Sequence, residues 1–309
     1  MQKHFPLNFV TALAISGKDR LKWLNNLVTN DLKKTAENQA VECFVTDVKG
    51  RTLSHGIVFS DREMLVYFSW GENQASRLLP HWDRYIIRED VTIADETSRW
   101  RWAFVRRAWL KSHFHNDRFE RLENMAITAT SESESFLAIA CSAIGDDWLL
   151  VRFRPDDTIA QFFPLRSDAQ PAEDNFDLEV NRIRHRWPLF GIDFDEKNLP
   201  QELDRNGTAI SFNKGCYLGQ ETVARLDALG QVQKKLVLLT IDCCSQTLVP
   251  KLERGTVVRK DEHEAGTITS SAISSDKPQQ ISALAMIRRA HFAEGTELNC
   301  NGLRTVVAP

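Results

Sequence analysis

The apolar residues near the start of the chain follow the period of an α-helix. Leu21, Leu24, Leu27 and Val28 recur at three- and four-residue intervals, which places them on one face of an amphipathic helix. Residues 16–19 just before them read S-G-K-D, a serine followed three residues later by an acidic residue, as in a capping box. This pattern predicts a capped first helix with one buried face.

β-prone runs separated by polar turns dominate the rest of the first half. They occupy residues 41–46, 52–60, 64–69, 91–94 and 100–105 and, after a polar stretch, residues 136–141 and 148–153. The short turns between the first runs predict an antiparallel meander. Residues 72–85 return to helical spacing, so the first half mixes helices with antiparallel strands.

The pattern changes from about Lys235 onward to short β-prone segments. These are residues 236–241, 256–259, 266–269, 282–287 and 304–307. Turn residues separate them at the spacing of a small sandwich or barrel. The sequence therefore predicts an all-β domain at the C-terminal end.

The composition is that of a folded chain with more than one domain. Its 309 residues are enough for about two or three domains of ordinary size. Hydrophobic residues make up 42% and charged residues 26%, and no apolar run approaches the ~18 residues that cross a bilayer. The formal charge of -3 provides no sequence-wide positive field for a nucleic-acid backbone. We therefore expect neither a membrane nor direct nucleic-acid contact.

The cysteines argue for a reducing compartment. They are Cys43, Cys141, Cys216, Cys243, Cys244 and Cys300. Without C-x-x-C spacing they fit neither a disulfide framework nor a zinc ribbon, so we expect no metal site and a cytoplasmic protein. Residues 1–14 faintly resemble a signal peptide, but Pro6 and Asn8 interrupt the apolar stretch.

The segment with the clearest chemical content surrounds Cys216. Residues 220–229 are helix-prone and Gly230 stands where a C-terminal cap belongs, so Cys216 lies in the turn before a helix N-terminus. The amide donors of that end and the nearby cation of Lys214 are expected to stabilise a thiolate and raise its reactivity. The alternative is that Cys216 is a small buried apolar residue.

The same segment carries a family resemblance. Residues 214–221 read K-G-C-Y-L-G-Q-E, with Ala224 and Arg225 following. This run resembles the K-G-C-Y-x-G-Q-E-x-x-A-R signature of the YgfZ family, a branch of the glycine-cleavage T-protein superfamily. The runs L-V-T-N-D at 27–31 and D-V-K-G-R at 47–51 resemble the superfamily pattern, so the resemblance covers nearly the whole chain.

The resemblance implies an α+β fold and a domain organisation. It implies a T-protein-like three-lobed ring with mixed antiparallel sheets and helices, a central channel for a reduced folate and a C-terminal β-barrel. Residues 1–235 would form the folate-binding region, as two interleaved α+β lobes of roughly 1–45 with 130–235 and 46–130. Residues 236–309 would form the barrel domain.

The resemblance also implies a function and a site. It implies an accessory protein for the assembly or repair of iron-sulfur enzymes, including tRNA-modifying ones, with those enzymes or cluster-assembly proteins as partners. The cofactor would be tetrahydrofolate or a derivative, and Cys216 would be the functional thiol. The residues expected to shape the folate pocket are Lys214, Tyr217, Gln220, Glu221, Arg225 and Arg184. A first helical turn favours acidic and amide residues in any case, so Gln220 and Glu221 are also consistent with a simple helix surface.

Two departures from the T-protein pattern weaken an aminomethyltransferase reading. The strand after the glycine turn, residues 51–57, has no carboxylate where those enzymes place one. Their R-x-E-A-G segment is basic here, at residues 182–186, and a basic run of this kind suits polyglutamate or another anion. His55 is a conceivable proton carrier, but a solvated strand histidine is the simpler expectation.

Three functional hypotheses therefore remain from the sequence. The leading one is the folate-binding accessory protein. The second is a folate-dependent aminomethyltransferase or demethylating enzyme, which the missing carboxylate disfavours. The third is a thiol oxidoreductase, which requires a resolving cysteine near Cys216 that the sequence does not reveal.

Overall fold

A computed structural model describes most of the chain. The described residues are 4–37, 39–61, 63–113, 127–130, 135–156, 176–230, 232–243, 252–274 and 277–309. They divide into two compact units. Unit 1 comprises residues 1–47, 53–170 and 207–218, and unit 2 comprises residues 48–52, 171–206 and 219–309. The finer division into interleaved lobes stays a prediction.

Unit 1 contains two five-stranded sheets. Its strands are β1 His4–Leu7, β2 Val10–Ser16, β3 Val41–Thr46, β4 Thr52–Asp61, β5 Met64–Trp70, β6 Thr92–Asp95, β7 Arg101–Arg106, β8 Ile127–Thr130, β9 Ser135–Ala140 and β10 Trp148–Phe153. One sheet has the order β3-β4-β5-β2-β6 and the other the order β1-β7-β10-β9-β8. The predicted meander of β3, β4 and β5 is confirmed, with β4 and β5 antiparallel.

Helices cover one face of the first sheet. They are α1 Arg20–Asn25, α2 Ala75–Asp83 and the 3-10 turn Leu32–Glu37, while α3 Arg107–His113 follows β7. Trp23 and Leu24 of α1 and Leu78 and Trp82 of α2 are buried against Tyr67 of β5 and its neighbours. These apolar side chains form one core, as the helical spacing in both segments requires.

The cap predicted for the first helix is wrong, although the helix itself is confirmed. Ser16 is the last residue of β2, and Asp19 makes no side-chain capping bond. The Asp19 carboxylate instead accepts a hydrogen bond from the backbone N–H of Asp90 at 2.8 Å. A tertiary contact therefore occupies the group that the local pattern assigned to the helix.

Aromatic side chains join the other face of the first sheet to the second sheet. The ring of Trp102 on β7 lies 4.5 Å from that of Phe68 on β5 and 6.3 Å from that of Phe59 on β4, measured between centroids. The ring centroids of Phe104 on β7 and Trp70 on β5 are 5.3 Å apart. Because alternate strand residues share a face, these pairs show that the two sheets pack face to face.

Unit 2 is built on a closed barrel. Its strands are β11 Lys234–Asp242, β12 Val257–Lys260, β13 His263–Ser274, β14 Lys277–Arg288, β15 Glu297–Cys300 and β16 Leu303–Val307. They close in the order β11-β14-β13-β12-β15-β16. The predicted C-terminal barrel and the α+β class with antiparallel sheets are therefore confirmed. The sequence missed β15, a four-residue strand between two turns.

The remaining helices are α4 Phe176–Arg184, α5 Asn206–Ala209 and α6 Gln220–Leu229, with 3-10 turns at Pro200–Leu203 and Arg289–His291. The bounds and the cap predicted for α6 are confirmed. Gly230 has φ 61°, and its N–H donates to the carbonyls of Leu226 and Asp227. A left-handed residue at this position is the usual helix stop, and glycine adopts it without a Cβ penalty.

A buried ion pair joins α4 to the barrel. Arg182 is fully buried, and its Nη1 lies 2.7 Å from Oδ2 of Asp193. The hydroxyls of Thr269 and Ser270 on β13 donate to Oδ1 of the same aspartate at 2.7 and 2.5 Å. Glu179 also pairs with the guanidinium. Burial lowers the pKa of Arg182, but Asp193 and Glu179 outweigh it and raise the pKa above its ordinary value. This arginine is therefore a charged structural group.

Replacing Asp193 by alanine tests this assignment. We expect Asp193→Ala to reduce the free energy of unfolding by about 3–5 kcal/mol, because it leaves the buried Arg182 charge without its main partner. Denaturant unfolding followed by tryptophan fluorescence measures the change. The matched control is Arg304→Ala, which removes an exposed pair with Glu297 and should leave stability unaltered. Equal losses in both variants would contradict the assignment.

Candidate functional site

Cys216 lies on an exposed stretch at the end of the 207–218 segment of unit 1. Its side chain is exposed, whereas Cys43, Cys243 and Cys300 are buried. The alternative that Cys216 is a buried apolar residue is therefore wrong. Apart from its two chain neighbours, no described atom comes within 4 Å of the point where a Cβ on Gly215 would stand. The chain is thus open to solvent at Gly215, next to the exposed cysteine.

Lys214 anchors this stretch on one side of the thiol. Its Nζ donates to the backbone carbonyls of Asn25 at 2.5 Å, Val28 at 2.9 Å and Asn30 at 2.7 Å. An ammonium group has three N–H donors, so all of them are used within unit 1. Burial lowers the pKa of Lys214 to about 8. The cation is thus bound to the α1–β3 connection, and this geometry favours an anchoring role over direct assistance to the Cys216 thiol.

A second set of contacts anchors the other side of the thiol. Tyr217 is buried, with its ring centroid 5.3 Å from Nζ of Lys214. The N–H of Leu218 donates to the carbonyl of Asn26 at 2.9 Å, and the hydroxyl of Thr46 donates to the carbonyl of Leu218 at 2.6 Å. Fixed residues therefore flank the exposed thiol on both sides.

The L-V-T-N-D run of residues 27–31 packs against the same segment. The hydroxyl of Thr29 donates to the carbonyl of Ala209 at 2.6 Å. The amide of Asn30 donates to the carbonyls of Thr208 at 2.7 Å and Glu42 at 2.8 Å. Two runs that resemble the superfamily, far apart in sequence, thus meet in unit 1. Threonine and asparagine suit these positions because their polar side-chain atoms pair with backbone carbonyls of both neighbouring segments.

The remaining signature residues lie on α6 in unit 2. Gln220 is half-buried, whereas Glu221 and Arg225 are exposed one helical turn apart. Gly50, from the D-V-K-G-R run, packs against this helix. It has φ 76°, and a Cβ built on it would stand 2.8 Å from Cβ of Thr222. Only glycine fits both that conformation and that approach.

The basic run 182–186 is partly committed to internal partners. Arg182 belongs to the buried pair described above. Arg186 donates to the carbonyls of Ala308 and Pro309, and its Nη1 lies 3.7 Å from the carboxylate of Asp204. Arg184 is half-buried at the end of α4. The predicted anion-binding role of this run, Arg184 included, stays a prediction.

The expectation of a solvated His55 is wrong. His55 is 2% exposed on β4, and its Nε2 lies 2.8 Å from Oε1 of Glu42 on β3. Its ring packs on Phe44 with a centroid distance of 5.0 Å. Residues 51–57 after the glycine turn include no carboxylate, but Glu42 on the neighbouring strand supplies one. Sequence reasoning missed Glu42 because only the pairing of β3 with β4 brings the two side chains together.

The predicted folate contacts differ in how well the structure suits them to a ligand. Lys214 has no donor left, and Tyr217 is buried. Their geometry favours structural support of the Cys216 stretch. Arg184 and Arg225 are cations that suit the carboxylates of a glutamyl tail, and Gln220 offers amide donors and acceptors. These roles stay predictions.

Two further searches concern metals and membranes. The described part of the chain contains no cluster of three or more histidine, cysteine or acidic side chains that could hold a metal ion. It also contains no helix that is long and apolar enough to cross a membrane.

The comparison with solved structures defines the class of fold. The chain superposes on the crystal structure of glycine cleavage system aminomethyltransferase T from Bartonella henselae with a TM-score of 0.79, covering 99% of this chain and 84% of that one at 14% identity. The fold is thus that of the glycine-cleavage T-protein.

Sequence relatives narrow this resemblance. The chain is 24% identical over 269 residues to the tRNA-modifying protein YgfZ of Aliivibrio fischeri strain MJ11, covering 86% of this chain and 79% of the relative. It is 28% identical over 254 residues to the protein of the same name from Escherichia coli strain UMN026, covering 76% and 72%. No family model matches the chain. The predicted resemblance to YgfZ-type proteins is confirmed.

Replacing Lys214 by methionine tests the anchor. We expect Lys214→Met to reduce the free energy of unfolding at pH 7 by about 2–4 kcal/mol, because three carbonyls lose a charged donor. The loss should grow as the pH rises from 8 to 10. The pKa of Lys214 in the folded protein is about 8, below the ordinary value of 10.5. Between these two values the unfolded chain binds more protons than the folded one, so raising the pH makes unfolding of the unaltered protein less favourable. The variant lacks this gain.

Urea unfolding at a series of pH values measures both effects. The control is Lys18→Met, which removes an exposed lysine whose Nζ lies 3.9 Å from Asp90. It should have little effect on stability and none on its pH dependence. An Lys214→Met variant as stable as the control, or with an unaltered pH profile, would show that the three bonds do not anchor this stretch.

Proposed function

We propose that this protein is a folate-binding accessory protein for the assembly or repair of iron-sulfur enzymes, including tRNA-modifying ones, and that Cys216 is its functional thiol. The observation that carries the proposal is the exposed cysteine between two anchored residues. The relatives named tRNA-modifying protein YgfZ and the T-protein fold support the same reading.

The anchored stretch suits a thiol that acts on a macromolecular partner. A thiol must be accessible to attack a disulfide or persulfide or to bind a cluster. Holding its backbone in one conformation lowers the entropy lost when a partner docks. Lys214 and Leu218 supply that restraint from unit 1. The proposed partners are iron-sulfur enzymes or cluster-assembly proteins of the cytoplasm, without direct contact to nucleic acid.

Tetrahydrofolate or a derivative is the proposed cofactor. A pterin ring suits stacking on an aromatic side chain, and a glutamyl tail suits cationic side chains. Arg184 and Arg225 of unit 2 are the proposed tail contacts, with Gln220 and Glu221 as further polar groups of the pocket. Lys214 and Tyr217 contribute by holding the Cys216 stretch.

The functional role of the thiol is tested by complementation. We expect Cys216→Ala to fold normally and to retain folate affinity, yet to lose at least about ten-fold in its ability to restore iron-sulfur enzyme activity in a strain that lacks the protein, because alanine has no sulfur to act as nucleophile or ligand. The matched control is Cys141→Ala, which removes a half-buried cysteine elsewhere in unit 1 and should complement fully. Full rescue by Cys216→Ala would remove the thiol from the function.

The cofactor is tested by calorimetric titration with tetrahydrofolate and its 5-formyl derivative under reducing conditions. We expect stoichiometric binding with a dissociation constant on the order of micromolar, as typical for an apolar pocket with a few charged contacts. Arg225→Gln and Arg184→Gln should each weaken binding about ten-fold through loss of a charge-assisted hydrogen bond. Arg259→Gln, an exposed barrel residue, is the control. Absence of binding by the unaltered protein would reject folate as the cofactor.

The His55–Glu42 pair keeps a folate-dependent aminomethyltransferase or demethylating enzyme as a second candidate. It brings a potential proton carrier and a carboxylate into hydrogen-bond contact, as acid–base chemistry requires. Formation of methylenetetrahydrofolate from an amine donor, lost in His55→Gln, would favour this candidate. The oxidoreductase alternative gains nothing comparable, because among the described cysteines other than Cys216 three are buried and Cys141 is half-buried.

A further inference from the structure

Unit 1 contains a cavity that none of the proposed roles uses. It lies between α1 and the connection that follows α2, at residues 85–89, and has a volume of about 440 Å³. Small-molecule sites typically have volumes of about 300–1,000 Å³, so it is large enough for a bicyclic ligand. None of the predicted folate contacts lines it.

The inner wall of the cavity is aromatic and aliphatic. Trp23 and Tyr85 line it together with Leu27 and Leu218. The indole N–H of Trp23 donates to the backbone carbonyl of Tyr85 at 2.9 Å, so the polar atom of this side chain already has its partner. A flat apolar ring therefore meets no unsatisfied indole donor along this wall.

The charged residues of the rim are not equivalent. The Asp19 carboxylate accepts the N–H of Asp90 at 2.8 Å, and Glu89 accepts the N–H groups of Ile87 and Arg88 at 2.8 and 2.9 Å. Backbone donors thus hold both carboxylates. The side chains of Lys22 and Arg88 are exposed on the rim. Backbone bonds, with a smaller contribution from Lys22, hold the pKa of Glu89 below its ordinary value. Both cations are exposed enough for an incoming anion to reach their N–H donors.

We infer that this cavity is a binding site for a small planar aromatic carboxylate. The ring lies against Trp23 and Tyr85, and the carboxylate pairs with Arg88 and Lys22. Charge-assisted bonds to a guanidinium supply orientation, while burial of the ring supplies most of the affinity. A neutral ring of the same shape lacks the first contribution and binds more weakly.

Leu218 on the inner wall of the cavity connects it to the Cys216 stretch. Leu218 lines the cavity, as does Asn26, and the N–H of Leu218 donates to the Asn26 carbonyl. A ligand against Leu218 therefore restrains the backbone two residues from the thiol. The site is an effector site: its occupancy changes the rate at which the thiol of Cys216 reacts.

Calorimetric titration with 2-naphthoate, and with neutral 2-naphthamide as the matched ligand, tests the site. We expect 2-naphthoate to bind at one site at least ten-fold more tightly than 2-naphthamide. The double variant Lys22→Gln/Arg88→Gln should remove this preference. Arg84→Gln, an exposed arginine outside the cavity, is the control and should bind like the unaltered protein. Absence of saturable binding, or a preference that survives the double variant, would overturn the inference.

Two further readouts separate this site from the others. Saturating 2-naphthoate should change the rate of Cys216 alkylation by iodoacetamide at least two-fold, as followed by peptide mass spectrometry, and not in the double variant. An unchanged rate despite binding would overturn the effector role. Competition between tetrahydrofolate and 2-naphthoate would identify the cavity as a folate site and overturn its separate assignment. Failure of either readout leaves the complementation by Cys216 untouched.

Discussion

Three hydrogen bonds from one half-buried ammonium group hold the Cys216 stretch of unit 1 in place. Lys214 reaches the carbonyls of Asn25, Val28 and Asn30, which lie at the end of α1 and in the connection that follows it. A side chain with three donors on a long flexible stem satisfies groups that point in different directions. The cost is burial of a charge, visible in the lowered pKa of Lys214. The three hydrogen bonds offset part of that cost, and they fix the backbone beside the exposed Cys216.

In unit 2 a buried arginine, Arg182, has a comparable structural role. Arg182 is buried and matched by Asp193, whose other oxygen accepts the hydroxyls of Thr269 and Ser270. A planar guanidinium suits paired carboxylates better than an ammonium does, whereas an ammonium suits scattered carbonyls. In both units a cation that looks available for ligand binding in the sequence is used to hold backbone or barrel in place. Fixed interiors leave the exposed Cys216 and Arg225 as the groups that can act outward.

The fold alone leaves the chemistry open, since one fold commonly supports several activities. The T-protein likeness extends over nearly the whole chain, yet the groups at its characteristic positions have changed. Residues 51–57 include no carboxylate, and His55 in this segment pairs with Glu42 from the neighbouring strand. The thiol of Cys216 is the group that the signature and the exposure both single out. The function therefore depends on the residues of the site rather than on the architecture that carries them.

The sequence by itself determined the elements whose causes are local. The strands β3 to β5, the helix α6 with its Gly230 cap and most barrel strands follow from alternation, helical period and turn residues, which act over a few positions. What only the tertiary structure decided involves partners far apart in the chain. The carboxylate of Asp19 accepts a hydrogen bond from Asp90 and does not cap its own helix, and His55 pairs with Glu42 inside the sheet. Lys214 donates to carbonyls that precede it by 184 to 189 positions. No local pattern encodes such pairings, because the atoms that satisfy each polar group become neighbours only when the chain has folded.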